Sequence, residues 1–133
     1  MSDAMRAISI KQPYVELILR GRKVAEYRSV VTHIRGRVYL YASKNPAGDH
    51  EAWEDAGARP GSLPTGVILG TVEIVNCEPD GDGGYAYVLA NPQRLEKPLR
   101  AVNHPQPCFW IPKFAQEQPV AQPECESSPV PAL

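Results

Sequence analysis

Apolar and polar positions change period several times along this chain, and each change marks an element. Residues 6–10 (R-A-I-S-I) alternate with the two-residue period of a strand. Tyr14, Leu17 and Ile18 then recur at helical spacing. Pro13 suits a first helical turn and Gly21 a C-terminal cap, which predicts a helix over 13–20. Alternation returns over 24–28 (V-A-E-Y-R), with Ala25 and Tyr27 on one face and Val24, Glu26 and Arg28 on the other. Residues 37–42 (R-V-Y-L-Y-A) are mostly apolar, as a strand covered on both sides would be. Residues 49–57 (D-H-E-A-W-E-D-A-G) predict a short acidic helix closed by Gly57. The longest β-rich run is 66–77, within which Gly70 predicts a bulge or a sharp bend. A turn over 79–84, a return strand over 85–89 and a short strand over 109–111 complete the series. About six strands, an early helix and a short second helix predict an α+β fold built on a mixed β-barrel. The composition changes at Ala115 to a proline-rich stretch without Lys or Arg. A domain over 1–114 and a flexible tail over 115–133 are therefore expected.

Composition narrows the function classes. The chain has 133 residues, 43% of them hydrophobic, which is enough for one modest core without a metal or disulfide framework. No apolar run approaches the roughly 18 residues of a membrane span. No basic segment followed by an apolar one opens the chain, so a cytoplasmic protein without a membrane partner is expected. Cys77, Cys108 and Cys125 form no C-x-x-C pair and read as reduced thiols. His33, His50 and His104 lack the spacing of a helical metal pair, so neither a metal nor another cofactor is predicted. Charge is uneven: residues 1–44 carry nine basic and three acidic side chains, the remainder five and twelve. The positive N-terminal third suits an anionic partner or a basic patch beside a cleft, while the acidic remainder speaks against a long nucleic-acid track.

The segments now assembled resemble a known family. I-S-I-K-Q-P-Y-V-E-L-I-L-R-G-R-K-V-A-E-Y-R-S over 8–29 resembles the opening block of the ASCH domain, a strand leading through Q-P-aromatic into a helix and then G-x-K-x-x-E-x-R. Y-L-Y-A-S-K over 39–44, G-T-V-E-I-V over 70–75, N-P-Q-R-L-E-K-P-L over 91–99 and F-W at 109–110 resemble its later blocks in order. The likeness spans roughly residues 6–114. It implies a PUA-like barrel and a nucleic-acid context. It is similar in particular to small ASCH-type amidohydrolases that remove acyl groups from N4 of cytidine with a lysine, a threonine and a glutamate. That lysine falls on Lys23; the threonine position is Glu26 here. No motif matches the glutamate, which leaves Glu73 as a candidate.

Several side chains could carry chemistry. Glu26 and Arg28 share a strand face, with Lys23 just before it, and the resemblance implies that this block lines a cleft. The alternative is a solvated ion-pair cluster. Ser43 and Lys44 follow the apolar strand. A second ammonium beside Lys23 would favour a neutral amine that acts as a general base, whereas Lys44 could equally bind phosphate or solvate a loop. Glu26 or Lys23 could activate water, or Ser43 as a nucleophile, while Lys44 or Arg28 steadies an oxyanion. For substrate binding, the Gln12 amide suits a base edge and Tyr14 and Trp110 could stack on a base, although both aromatics could be core. Glu73 is either on the solvent side of its strand or a cleft acid. The expected partner is a small nucleoside, with RNA as the alternative. A ribonuclease using Lys23, Lys44 and Tyr27 is a third reading, unsupported by paired histidines or metal carboxylates.

Overall fold

In a computed structural model the described residues are 5–115, so most of the expected tail, with Cys125, lies outside them. The elements run β1 (Ala7–Ile10), α1 (Tyr14–Leu19), β2 (Ala25–Arg28), β3 (Gly36–Ala42), α2 (His50–Ala56), β4 (Val67–Pro79), β5 (Tyr85–Leu99) and β6 (Phe109–Trp110). They form one mixed six-stranded sheet in the order β2-β5-β4-β3-β1-β6. Only β1 and β3 run parallel, and the chain between them carries α1 and β2. This is the α+β architecture expected from the sequence.

The caps sit where the sequence puts them. Gly21 and Gly57 adopt left-handed backbone (φ 76° and 65°), the conformation that ends a helix at least cost in glycine. Asp49 caps α2 by accepting from the Ala52 N–H. Pro13 stands just before α1 rather than within it, and its carbonyl accepts from the Leu17 N–H.

The curled sheet wraps one core of Ile8, Ile10, Val38, Leu40, Val72 and Ile74, sealed by Val15 and Ile18 of α1. A second cluster on the outer face packs Ala7, Tyr41, Ile68 and Trp110, so the end of β3 is buried on both sides. Gly70 marks the predicted irregularity: the β4–β5 register shifts between Ile68 and Gly70. A Cβ there would lie 2.5 Å from both the Gln93 carbonyl and Leu19 Cδ2. Only glycine lets β5 and α1 close on β4 at this point.

One boundary differs. The return strand was expected to end at Leu89 but continues to Leu99. Residues 90–99 are half polar and mostly exposed, include Pro92 and Pro98, and pass through a positive φ at Asn91, so they show no strand period. They are held as a strand by pairing with β4.

The barrel does not close by strand pairing. Its sheet edges meet through side chains: Arg28 of β2 donates to the Ser9 carbonyl of β1 (2.6 Å) and to the Pro107 carbonyl (3.4 Å). That seam holds the site.

Candidate functional site: a charged cleft at the barrel seam

The alternation of β2 sets the geometry. Tyr27 points to solvent, 60% exposed, while Glu26 turns inward and is 8% exposed. Burying a carboxylate costs several kcal/mol unless cations and hydrogen bonds compensate. Arg28 supplies one partner, its Nε 2.8 Å from Glu26 Oε2. Lys23 supplies the other, its Nζ 3.6 Å from Oε1. The solvated-cluster alternative therefore does not describe Glu26.

Glu26 and Arg28 line a cleft of about 500 Å³ together with Tyr14, Ser43 and Lys44. Ser9, Lys11, Asn45 and Pro107 complete its walls. The volume falls in the range of small-molecule sites. Glu26 is the only carboxylate in the lining, against the cations Lys11, Arg28 and Lys44. Such a cleft can accept hydrogen bonds at one buried point and attract anionic groups around it.

Lys23 stands differently from the expectation. Its ammonium lies 5.2 Å from the ring centroids of both Tyr14 and Tyr27. It borders a neighbouring groove with Asp49 and Asp55, not the cleft. It approaches Glu26 from that second groove, held by a carboxylate and two aromatic faces. Tyr14 separates the two spaces. Burial pushes its phenol upward, and the hydroxyl donates to Asp49 Oδ2 at 2.9 Å, which adds to the rise.

Three predicted binding residues sit elsewhere. Gln12 is fully buried; its Oε1 accepts the Glu16 N–H at the start of α1 and its Nε2 donates to the Pro64 carbonyl. Both ends of the amide are thus committed to anchoring the helix, not to a base edge. Trp110 packs edge-on against Tyr41 (5.2 Å) and donates from Nε1 to Ser9 Oγ (3.0 Å), so it is mainly core and supports the cleft wall through Ser9, while its edge borders a separate hollow with Lys44, Arg100 and His104. Glu73 takes the solvent-side alternative, with Arg37 Nη2 at 3.2 Å and Asn91 Nδ2 donating at 3.1 Å. Ser43 reaches the cleft, yet among the described residues no base is hydrogen-bonded to its hydroxyl.

Sequence reasoning missed Ser9, Lys11, Asn45 and Pro107. Ser9 carried a signal, since it is the polar position between the core residues Ile8 and Ile10. Pro107 carried none, because a loop brings it to the seam.

Among the described residues no group of three or more His, Cys, Asp or Glu side chains is arranged to hold a metal ion. Among the same residues no helix is long and apolar enough to cross a membrane.

Comparison with known proteins agrees with this architecture. Activating signal cointegrator 1 of Homo sapiens and of Mus musculus are each 27% identical to the chain over 116 residues, covering 70% of this chain. The match spans 20% of each relative, so the chain corresponds to about a fifth of their length. Residues 8–99 match the ASCH domain, a span that takes in the helix anchor, both sides of the Glu26 node and the Gly70 crossing. The chain belongs to the ASCH domain family.

Proposed function

We propose that the seam cleft captures a single nucleobase and that the chain is an RNA-recognition module. The observation that carries this reading is Glu26: a buried carboxylate, fixed by Arg28 and Lys23, that opens onto a cleft large enough for a base and rimmed by cations. A carboxylate in that position accepts from ring N–H or exocyclic amine groups on a base edge. Tyr14 offers a ring against which an unstacked base can lie. Lys11 and Lys44 suit the phosphates that accompany a base in a strand.

A second reading is hydrolysis of an N4-acylated cytidine. It is favoured by one observation, that Glu26 and Lys44 line the same cleft. Glu26 would take a proton from a water that attacks the acyl carbon, Lys44 would steady the oxyanion, and the proton would pass to N4 as the C–N bond breaks, which releases a carboxylic acid and cytidine. Lys23 would act by positioning Glu26. Nothing in the cleft favours Ser43 over water as the nucleophile.

One pair of assays separates the two. The protein is titrated into fluorescein-labelled single-stranded RNA at several salt concentrations, and separately incubated with N4-acetylcytidine while released cytidine is followed by chromatography. Binding that weakens steeply with salt, without cytidine release, supports the module. Release that Glu26→Gln abolishes supports the hydrolase instead. Neither binding nor release would overturn both.

A further inference from the structure

The cleft is not an isolated hole. A second hollow of about 260 Å³ and a third of about 220 Å³ adjoin it and share its wall residues. Ser9, Ser43 and Pro107 form walls common to the first and second. Tyr41 and Pro105 are common to the second and third. Lys44 borders all of them. Together they form a row of adjoining hollows, a trough with a cleft large enough for a base at one end.

The far end is chemically distinct. Lys44, Arg100 and His104 line it, and no carboxylate lines it or the middle compartment. Among the described residues none of these side chains is paired with an acid. The stem of Lys44 is seated: a Cβ on Gly66, which has φ +74°, would lie 3.5 Å from Lys44 Cγ. The loop bearing Arg100 and His104 is also pinned. Asn103 donates to the Ile111 carbonyl and accepts from the Lys113 N–H, and the Val102 N–H donates to the Lys113 carbonyl.

Tyr41 gives an independent pointer. It borders both the middle and far compartments and is only 4% exposed. Among the described residues its hydroxyl has no hydrogen-bond partner. Buried tyrosine hydroxyls are almost always satisfied. A phosphate oxygen seated between Arg100 and Lys44 would supply an acceptor.

We infer that this far end is a phosphate subsite, and that the ligand of the trough is a phosphorylated nucleotide or strand rather than a free nucleoside. The inference rests on the reading that the cleft holds a base, and it names the ligand class for that same site. The walls of the middle compartment are chiefly Tyr41, Pro105 and Pro107, which suit the sugar that links base to phosphate. Arg100 supplies a planar fork for phosphate oxygens and Lys44 a point charge.

The test titrates the full chain with the common ribonucleosides, their 5′- and 3′-monophosphates, and random-sequence single-stranded RNA. Wild type is compared with Arg100→Ala, His104→Ala and Glu26→Gln. Arg100 and His104 are exposed loop residues, so their truncation leaves the core intact. The expected result is that phosphorylated probes bind about tenfold more tightly than nucleosides, the scale of a charge-assisted hydrogen bond. Arg100→Ala should erase that advantage without weakening nucleoside binding. An advantage seen with the monophosphates points to a mononucleotide; one seen only with RNA points to a phosphodiester. Glu26→Gln should weaken every probe and leave the ratio between them unchanged. Equal affinity for nucleosides and phosphorylated probes overturns the phosphate subsite and leaves the base cleft standing. So does an advantage that survives Arg100→Ala. Phosphate-dependent RNA binding that needs Arg100 but is unaffected by Glu26→Gln keeps the subsite and removes the base reading. No binding of any probe removes both.

Discussion

Two buried glutamates, ten residues apart, each sit between two cations, and they serve opposite purposes. Glu16 on α1 receives Arg94 on both oxygens (3.0 and 2.9 Å) and Arg20 Nε at 2.7 Å. Arg20 also reaches the Ala56 carbonyl, so the node ties α1 to β5 and to the end of α2. It lines none of the clefts along the seam. Glu26 receives one close hydrogen bond and one looser contact, and its node faces a cleft of about 500 Å³. The residue types are alike; what differs is how fully the oxygens are occupied and what the node faces. A saturated carboxylate is a clamp. A partly occupied one beside open volume is a place for a ligand.

The largest expected effect breaks the clamp. Glu16→Gln should cost about 1–3 kcal/mol in chemical denaturation, since it removes the bidentate pair while its arginine partners keep some solvent. The folded variant should bind RNA as wild type does. The same node carries a pH signature. Burial alone would raise the Glu16 carboxyl, but the hydrogen bonds and charges of Arg94 and Arg20 outweigh it and hold the group below the usual carboxylate range. Its folded pKa is therefore below its unfolded value. The stabilisation is present at neutral pH, begins to fade below the ordinary glutamate pKa and is lost as pH falls through the folded one. Denaturation midpoints across the acid range should fall for wild type, and less steeply for Glu16→Gln.

A middle-sized effect sharpens the contrast from the other side. Lys23→Ala removes the support behind Glu26 and the cation beside Tyr14 without removing a side chain that lines the cleft. Ligand affinity should fall several-fold, and Lys23→Arg should restore part of it. An unchanged affinity in Lys23→Ala would mean that Arg28 alone fixes Glu26. The smallest effect belongs to a third ion-paired carboxylate, Glu73 with Arg37, which is partly exposed on the outer face. Glu73→Gln should change stability by about 0–1 kcal/mol and leave binding unaltered.

Much of this was legible in the sequence, for physical reasons. Period-two alternation told that Glu26 and Arg28 share the face opposite Tyr27, because a strand permits no other arrangement. Gly21 and Gly57 announced two caps and Gly70 a bulge or bend, where the structure also shows a close crossing that a side chain would block. The second half of β5 was hidden because its strand state comes from pairing with β4, not from its own pattern. The misplaced candidates share a cause as well. An amide, an indole and a carboxylate each have a structural use as good as a functional one, and Gln12, Trp110 and Glu73 took it. Lys23 was correctly joined to Glu26, but on the side away from the cleft. Ser9 and Pro107 could not be joined to Glu26 in advance, because the seam that unites them is closed by Arg28 rather than by a strand ladder.

The most direct test of the claim that Glu26 is a ligand site and Glu16 a clamp is a paired measurement. Glu26→Gln and Glu16→Gln are each titrated with the same labelled single-stranded RNA and each unfolded in denaturant. The account predicts a crossed result: Glu26→Gln loses binding about tenfold or more with the smaller loss of stability, and Glu16→Gln loses stability with binding intact. Equal binding by wild type and Glu26→Gln would contradict it.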